Sequence, residues 1–539
     1  MTGFEWRALA RSTSGNVLPM ACLGVIVLCG LVGGGVDASR AYMVKNRLQN
    51  ACDSGVLAGR RAMTDSGYGE AERKQANTYF AANFDLDGHN AVNTRFVTKA
   101  DDKGNQVEGT ASTEMQTALM NLFGFDVVKL TATCTASMSV GNSDVMMVLD
   151  TTGSMGNALE GASQTKLQAL QAAMKNFYNT VAAAKAGSNA RVRFGFVPYS
   201  SSVNVGRLLY DRDPSFLVDQ YTVQSRVFVE MKTVTTETCD DATDPPICTT
   251  TSREVPSWLY QPVANFPYAT YKTFKSVYTK THEASGKPAD QKSTWQGCIE
   301  ERATVPAATF SYSPVSGITP AEALDLNIDM PPNSYDDRTK WAPMWREVAF
   351  TRPTGVETSN TGSKAGYACP REARLLAEMT ASEFNTYANA LSASGNTYHD
   401  LGMIWGARLL SPTGIFSANV NLRPANGAAV SRHIIFMTDG KMEPSATNIT
   451  AYGIEKHDRR VTTNGTADAK RHTSRMRAVC EATKAKGIRV WVIAFSTALT
   501  TDLSACASPD SSFTANNSTQ LNAAFQDIAK EVGELRIVR

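Results

Sequence analysis

Neither charge dominates this sequence: 53 Lys and Arg face 51 Asp and Glu, a formal net charge of +2. No basic run is interleaved with aromatics, so the electrostatic stripe of a nucleic-acid groove is missing and nucleic acid is not an expected partner. There is no C-x-x-C pair, which argues against a zinc ribbon or a dithiol redox centre. Internal repeats and low-complexity tracts are also lacking, which excludes a solenoid. With 42% hydrophobic and 19% charged residues over 539 positions, the composition is that of a folded chain with room for about two to four domains.

Long charge-free runs are scarce as well, and the one that matters is residues 17–36, VLPMACLGVIVLCGLVGGGV. About twenty apolar residues suffice to cross a bilayer as a helix. A cleaved signal peptide competes, because Val36-Asp37-Ala38 offers small residues at a cleavage position, but its apolar region would be unusually long; a retained anchor is expected. Arg7 and Arg11 precede the run and Arg40 follows it, so flanking charge does not orient the helix. Cysteines do. Cys22 and Cys29 lie in the run, and Cys52, Cys134, Cys239, Cys248, Cys298, Cys369, Cys480 and Cys506 lie beyond it. This even set predicts disulfides in an oxidising compartment, against the plainer reading of buried thiols in a cytosolic protein. Keeping each pair within one proposed unit gives Cys52–Cys134, Cys239–Cys248, Cys298–Cys369 and Cys480–Cys506, one of many pairings that eight cysteines allow.

Beyond the apolar run, Ala41, Val44, Leu48, Ala51, Gly55, Ala58 and Ala62 recur at three- and four-residue steps, so the helix is expected to continue outward as an amphipathic stem. Strands over 94–97 and 106–111, an apolar helix over 115–123 and a strand over 127–138 complete a small α+β unit. From Asp144 the texture changes to fully apolar strands, at 145–149, 192–198, 433–437 and 490–495, alternating with amphipathic helices. That is the pattern of a doubly wound, mostly parallel α/β sheet covered on both faces. One helical face is carried by Leu167, Leu170, Met174, Phe177 and Val181, another by Leu521, Phe525, Ile528 and Val532. The alternation stops between about 206 and 373, where 15 of the 21 prolines fall between Pro214 and Pro370 with four of the seven tryptophans. This stretch reads as a disulfide-braced, loop-rich insertion.

The first apolar strand runs into Asp150-Thr151-Thr152-Gly153-Ser154, and strand ends facing a loop are where open α/β sheets bind ligands. The segment resembles the metal-ion-dependent adhesion site of von Willebrand factor A domains, which uses D-x-S-x-S, a threonine on a second loop and an aspartate after a later strand. The matching positions are Asp150, Thr152 and Ser154, with threonine in place of the first serine, then Thr397 in Gly395-Asn396-Thr397, then Asp439 in Met437-Thr438-Asp439-Gly440. Thr438 and Ser411 are the other hydroxyls open to the threonine's role. Carboxylates and hydroxyls suit a hard divalent cation, Mg²⁺ first, with Mn²⁺ or Ca²⁺ as alternatives. The resemblance implies a metal-bridged contact with an acidic side chain of a protein partner. Without it, Thr152 and Ser154 would simply cap a helix, and Asp150 and Asp439 would end strands.

No catalytic residue is expected and the protein is read as a non-enzyme. Thr152-Gly153-Ser154-Met155-Gly156 departs from a G-x-S-x-G nucleophile elbow at its first position. His433 would sit at the opposite end of the sheet from Ser154, and His399 beside the ligand loop is more often structural. Residues 455–460, EKHDRR, read as a solvated surface loop. Trp341 and Trp345, at helical spacing, read as local core.

The head of the chain narrows the match. Ser14-Gly15-Asn16, then Val36-Asp37 and the segment from Arg47 to Ala58, RLQNACDSGVLA, resemble TadE/TadG-like proteins of the Flp, or tight-adherence, pilus. Leu503 to Ser508 and Ala523 to Ala529 also look familial. Prepilin substrates carry a glutamate at the fifth position after the cleaved glycine, where this chain has Met20, so a retained anchor fits better. The resemblance implies a cytoplasmic tail over 1–16, a transmembrane helix over 17–36, a TadE/TadG-like stem over 37–143 and an A-like domain over 144–539 interrupted at about 206–373. It implies a single-pass inner-membrane protein with its bulk in the periplasm, serving pilus or envelope assembly. A surface-displayed adhesin is the alternative, and a serine hydrolase the remote one.

Overall fold

The computed structural model describes residues 17–63, 68–84, 91–100, 106–138, 141–185, 189–263, 266–284, 287–348, 356–358, 364–427, 429–532 and 535–538. The tail over 1–16, with its Ser14-Gly15-Asn16 motif, lies outside them. The chain divides into two compact units, one comprising Met1–Val140 with Gly533–Arg539 and the other Gly141–Val532.

In the first unit a continuous helix, α1, spans Val17–Ala62. Its first part bears exposed apolar side chains from Met20 to Val36, and it is long and apolar enough to cross a membrane. Farther along, Val44, Leu48, Ala51, Cys52 and Val56 are buried, the three-and-four spacing having placed them on one face. That face packs on α2 (Glu70–Asn83) and on an antiparallel sheet of β1 (Ala91–Ala100), β2 (Gln106–Gln116) and β3 (Val127–Met138). The Cys52–Cys134 disulfide joins α1 to β3. Two expectations change here. Residues 115–123 are not a helix: β2 continues to Gln116, pairing Met115 with Val128, and only a 3₁₀ turn follows at Met120–Phe123. Ladder pairing with β3 holds the buried Met115 in the strand, and the apolar residues after it, Leu119, Leu122 and Phe123, are exposed and give a helix no buried face to pack. The last strand, Leu535–Val538, pairs with β3, whereas the sequence reading carried the A-like domain to residue 539. No periodicity in four residues reveals such a long-range partner.

The second unit is built on a six-stranded sheet of β4 (Asn142–Asp150), β5 (Val192–Tyr199), β6 (Arg374–Ala377), β7 (Val430–Thr438), β8 (Arg489–Phe495) and β9 (Ser512–Ala515). The order is β6-β5-β4-β7-β8-β9, all parallel except the edge strand β6. This is a doubly wound, mostly parallel α/β fold. Every residue of β4 and β5 is buried, as strands covered on both faces must be. On one face α3 (Lys166–Lys185) and α7 (Ser518–Val532) meet through Phe177 and Phe525, with ring centroids 5.9 Å apart; α4 (Ala381–Asn389) joins them. On the other lie α5 (His399–Leu410) and α6 (Ala469–Lys484). α5 rides close on the sheet: a Cβ at Gly406 would come within 2.4 Å of Val148 and one at Gly402 within 2.5 Å of Tyr199.

The insertion is more ordered than its prolines announce. It opens with a short helix, Gly206–Arg212, followed by two hairpins, Val223–Asp240 with Ile247–Val263 and Val277–Ala284 with Lys287–Ser293. Only its later part is loop-rich. Trp295, Trp341 and Trp345 join the same buried cluster as Trp405 of α5, so the insertion roofs α5. Cys239–Cys248, Cys298–Cys369 and Cys480–Cys506 are all formed.

Candidate functional site

Sheet order reverses between β4 and β7, which creates a crevice outside their carboxyl ends. Leu149 of β4 lies beside Met437 of β7, and Asp150 beside Tyr199 of β5. Asp150 and Asp439 therefore leave neighbouring strands at the same height. Asp150 Oδ1 accepts the Thr152 backbone N–H at 2.9 Å and the Thr152 hydroxyl at 2.6 Å, while Oδ2 accepts the Thr438 hydroxyl at 2.8 Å. Ser154 Oγ donates to Asp439 Oδ1 at 2.7 Å. The Thr152 and Ser154 hydroxyl oxygens then meet at 3.0 Å. Each hydroxyl carries one proton, and these are already directed to Asp150 and Asp439. Two oxygens thus face each other at that contact with their protons directed elsewhere.

The third loop reaches the same place by its backbone. Ser394 N–H donates to Thr151 O at 2.8 Å and Gly153 N–H to Gly395 O at 2.9 Å; farther on, Glu443 N–H donates to Thr397 O at 3.1 Å. Thr397, buried, is held between the segment after Asp150 and the segment after Asp439. Gly395 turns the chain there with φ 88°, and a Cβ on it would lie 2.6 Å from Ala368. Of the alternative hydroxyls, Thr438 is in the site through its bond to Asp150. Ser411 is not: it follows the far end of α5 and donates to Asp329 at 2.5 Å.

Burial, and then the nearby Asp439 charge, push the Asp150 carboxyl up to about 6. Two carboxylates sharing a dry site resist joint ionisation. Lys166, at the first position of α3, offsets part of this by donating to Asp439 Oδ2 at 2.9 Å. The sequence reading missed Lys166; its signal was a lysine at a helix start, where the helix dipole disfavours a cation. His399 Nε2 lies 2.8 Å from Thr438 Oγ1, and burial lowers its pKa to about 4. Because the Thr438 proton goes to Asp150, the neutral imidazole donates to the hydroxyl.

Ser154 thus donates to Asp439 and lies 3.0 Å from the Thr152 hydroxyl oxygen, with no histidine among its hydrogen-bond partners. His433 pairs with Val145, at the other end of β4 from Asp150. The reading of 455–460 as a solvated loop needs correction. Glu455 is buried and accepts from the Val461 and Thr462 backbone, and Arg460 donates to the carbonyl oxygens of Glu301 and Arg302. A charge run satisfied by buried backbone looks, in sequence, like a solvated one. Trp341 and Trp345 are core, as expected.

With fold and site described, comparison with known proteins locates the N-terminal part of the chain. Residues 15–73 match the family model described as putative Flp pilus-assembly TadE/G-like. The chain therefore carries a TadE/G-like pilus-assembly segment at its head, and its apolar helix fits membrane anchoring. No curated protein matches the sequence. Among solved structures, the chain is similar to the pilus adhesin SpaC from Lactobacillus rhamnosus GG at 11% identity and TM-score 0.32, covering 82% of this chain and 33% of that one. It is also similar to the vWF domain of the type V pili tip protein Mfa5 from Porphyromonas gingivalis, at 11% identity and TM-score 0.30, covering 73% and 95%. A third is proximal thread matrix protein 1 from the mussel byssus, at 10% identity and TM-score 0.25, covering 75% and 50%. The chain spans about a third of the length of the SpaC structure.

Proposed function

We propose that this protein is a membrane-anchored pilus or envelope assembly component whose A-like domain recognises a protein partner through a divalent cation. Asp150, Thr152, Ser154, Thr397 and Asp439 would hold the ion, and an acidic side chain of the partner would complete its coordination. The observation that carries the reading is the 3.0 Å approach of the Thr152 and Ser154 hydroxyl oxygens between two carboxylates. Oxygen atoms that converge with their protons directed elsewhere are a donor set for a hard cation, and Mg²⁺ accepts one or two carboxylates while retaining open positions. A groove of about 850 Å³, lined in part by Gly440, Lys441 and Lys470, opens beside the Asp439 loop. Lys441, Lys470 and Arg477 outnumber Glu481 and Asp502 on its lining by one, a small basic excess that suits an acidic partner.

Titration of Mg²⁺ and Mn²⁺ into the detergent-solubilised full chain, wild type beside Asp150→Ala, tests the assignment. Loss of an outer partner of a metal site costs about 10–100-fold in affinity, so loss of a carboxylate ligand should exceed that; equal binding by both proteins would refute the reading. Envelope pull-downs with and without EDTA then test the partner. Protease treatment of intact cells separates the two locations: a protected A-like domain fits assembly machinery, a digested one a displayed adhesin.

A further inference from the structure

The loop 117–126, between β2 and β3 of the stem, has an unusual surface. Leu122 is 81% exposed and Phe125 62%, and Leu119, Phe123 and Val127 are exposed too. Its position explains this. Phe123 Cζ would lie 3.6 Å from a Cβ at Gly30, Leu119 Cβ 3.0 Å from one at Gly33, and Met120 Sδ 3.7 Å from one at Gly34. The loop therefore lies against the outer part of the apolar helix, level with residues 30–34 and not beyond its end. At about 1.5 Å per residue, Gly30 lies roughly 10 Å inside Asp37, where the charge-free run ends.

The loop is clasped in place. Asp37, itself buried, accepts the backbone N–H groups of Ala118, Leu119 and Met120 at 2.8, 2.9 and 2.8 Å. The N–H groups of Thr117, Leu122, Gly124 and Phe125 bond within the loop, and the Thr117 hydroxyl donates to Phe125 O at 2.6 Å. Backbone so satisfied can enter hydrocarbon, where each unpaired group would cost several kcal/mol. Charges lie at the base of the loop, not its tip: Arg40 bonds Asp37, and Asp126 and Lys129 are exposed at the start of β3. A tip of apolar side chains apart from Asn121, backbone N–H groups bonded as above, and a charged rim are the arrangement of a segment seated in one leaflet.

We infer that loop 117–126 is a second membrane element, which inserts Leu122, Phe123 and Phe125 among the acyl chains of the leaflet that the stem faces. The inference rests on α1 spanning the bilayer. With two points of contact instead of one, the stem cannot swivel freely about the helix axis, and its sheet is held at a fixed height above the headgroups.

The test uses the full chain with Cys22→Ser and Cys29→Ser, since these two cysteines are free and the other eight are disulfide-bonded. A nitroxide is placed at Leu122→Cys, at Val25→Cys within the helix or at Tyr335→Cys on the exposed surface. Each protein is reconstituted in phosphatidylcholine–phosphatidylglycerol vesicles, and collisions with oxygen and with a water-soluble nickel chelate are measured. The oxygen-to-nickel ratio at position 122 should match position 25 and exceed position 335 several-fold. A water-like ratio at 122 beside a hydrocarbon-like ratio at 25 would overturn the insertion and leave the anchor intact. Water-like ratios at both would bring down the anchor and the insertion together.

Discussion

Asp150 is costly to keep. A carboxyl whose pKa rises on folding, here from 3.8 to about 6, is favoured in its protonated form. Folding bears no penalty below about pH 4, a growing one from there to about 6, and the whole of it above, on the order of 3 kcal/mol. The metal-free protein should therefore lose stability between about pH 4 and 6, and Asp150→Asn should flatten that slope. Urea denaturation in EDTA across this range measures both, and an unchanged slope in the variant would remove Asp150 as the cause. Mg²⁺ should restore stability to the wild type by binding only the folded state. Lys166 acts in the opposite sense to the metal, since its ammonium already occupies Asp439 Oδ2. Replacing it with Met should raise Mg²⁺ affinity by about tenfold, the equivalent of roughly 1.4 kcal/mol; a weaker-binding variant would show that Lys166 supports the site instead.

Among the elements, α5 shows how the insertion belongs to the domain. All twelve of its residues are buried, and a helix apolar enough for that needs cover on every side. The sheet covers one side, and the insertion tryptophans lie on another. Glu301 of the insertion seals the contact: it accepts Arg408 Nη1 at 2.8 and 3.1 Å, Trp405 Nε1 at 2.5 Å and Trp341 Nε1 at 3.0 Å. Glu301→Ala leaves Arg408 charged and unpaired in the interior, which costs about 3–5 kcal/mol. Denaturant midpoints should show that loss, and a change under 1 kcal/mol would mean that water or another group replaces the carboxylate. The same packing sets the position of Thr397, because α5 begins two residues after it.

At the scale of the molecule, disulfides and membrane helix make a joint claim about topology. Four disulfides form among the cysteines beyond the charge-free run 17–36, while Cys22 and Cys29 within it stay free. Alkaline phosphatase fused at Ser143 should be active if the chain beyond α1 is exported, and activity of a cytosolic reporter at the same point would contradict export. Cys506→Ser opens the link between α6 and the segment after β8, and should cost the folded protein about 2–4 kcal/mol. Thermal melts of oxidised wild type and variant measure it.

Much of this was legible in the residues themselves. The apolar run, the stem face, the four central strands and the cysteine pairs follow from local periodicity and from separations that keep partners within one unit. Asp150, Thr152, Ser154 and Asp439 were picked out by the resemblance of two strand-end segments to a known loop pattern; that the two strand ends lie side by side came from the sheet order. The rest depended on contacts far apart in sequence. Whether 115–123 became helix or strand was decided by β3, and whether Glu455 met water or buried backbone by Val461 and Thr462. That Lys166 would neutralise Asp439, that a proline-rich insertion would roof α5, and that Asp37 would clasp a loop some eighty residues away were likewise tertiary decisions. Local sequence sets which face of an element is apolar; only the assembled chain determines what that face meets, since the energy of a buried charge or an exposed Phe lies in its neighbours.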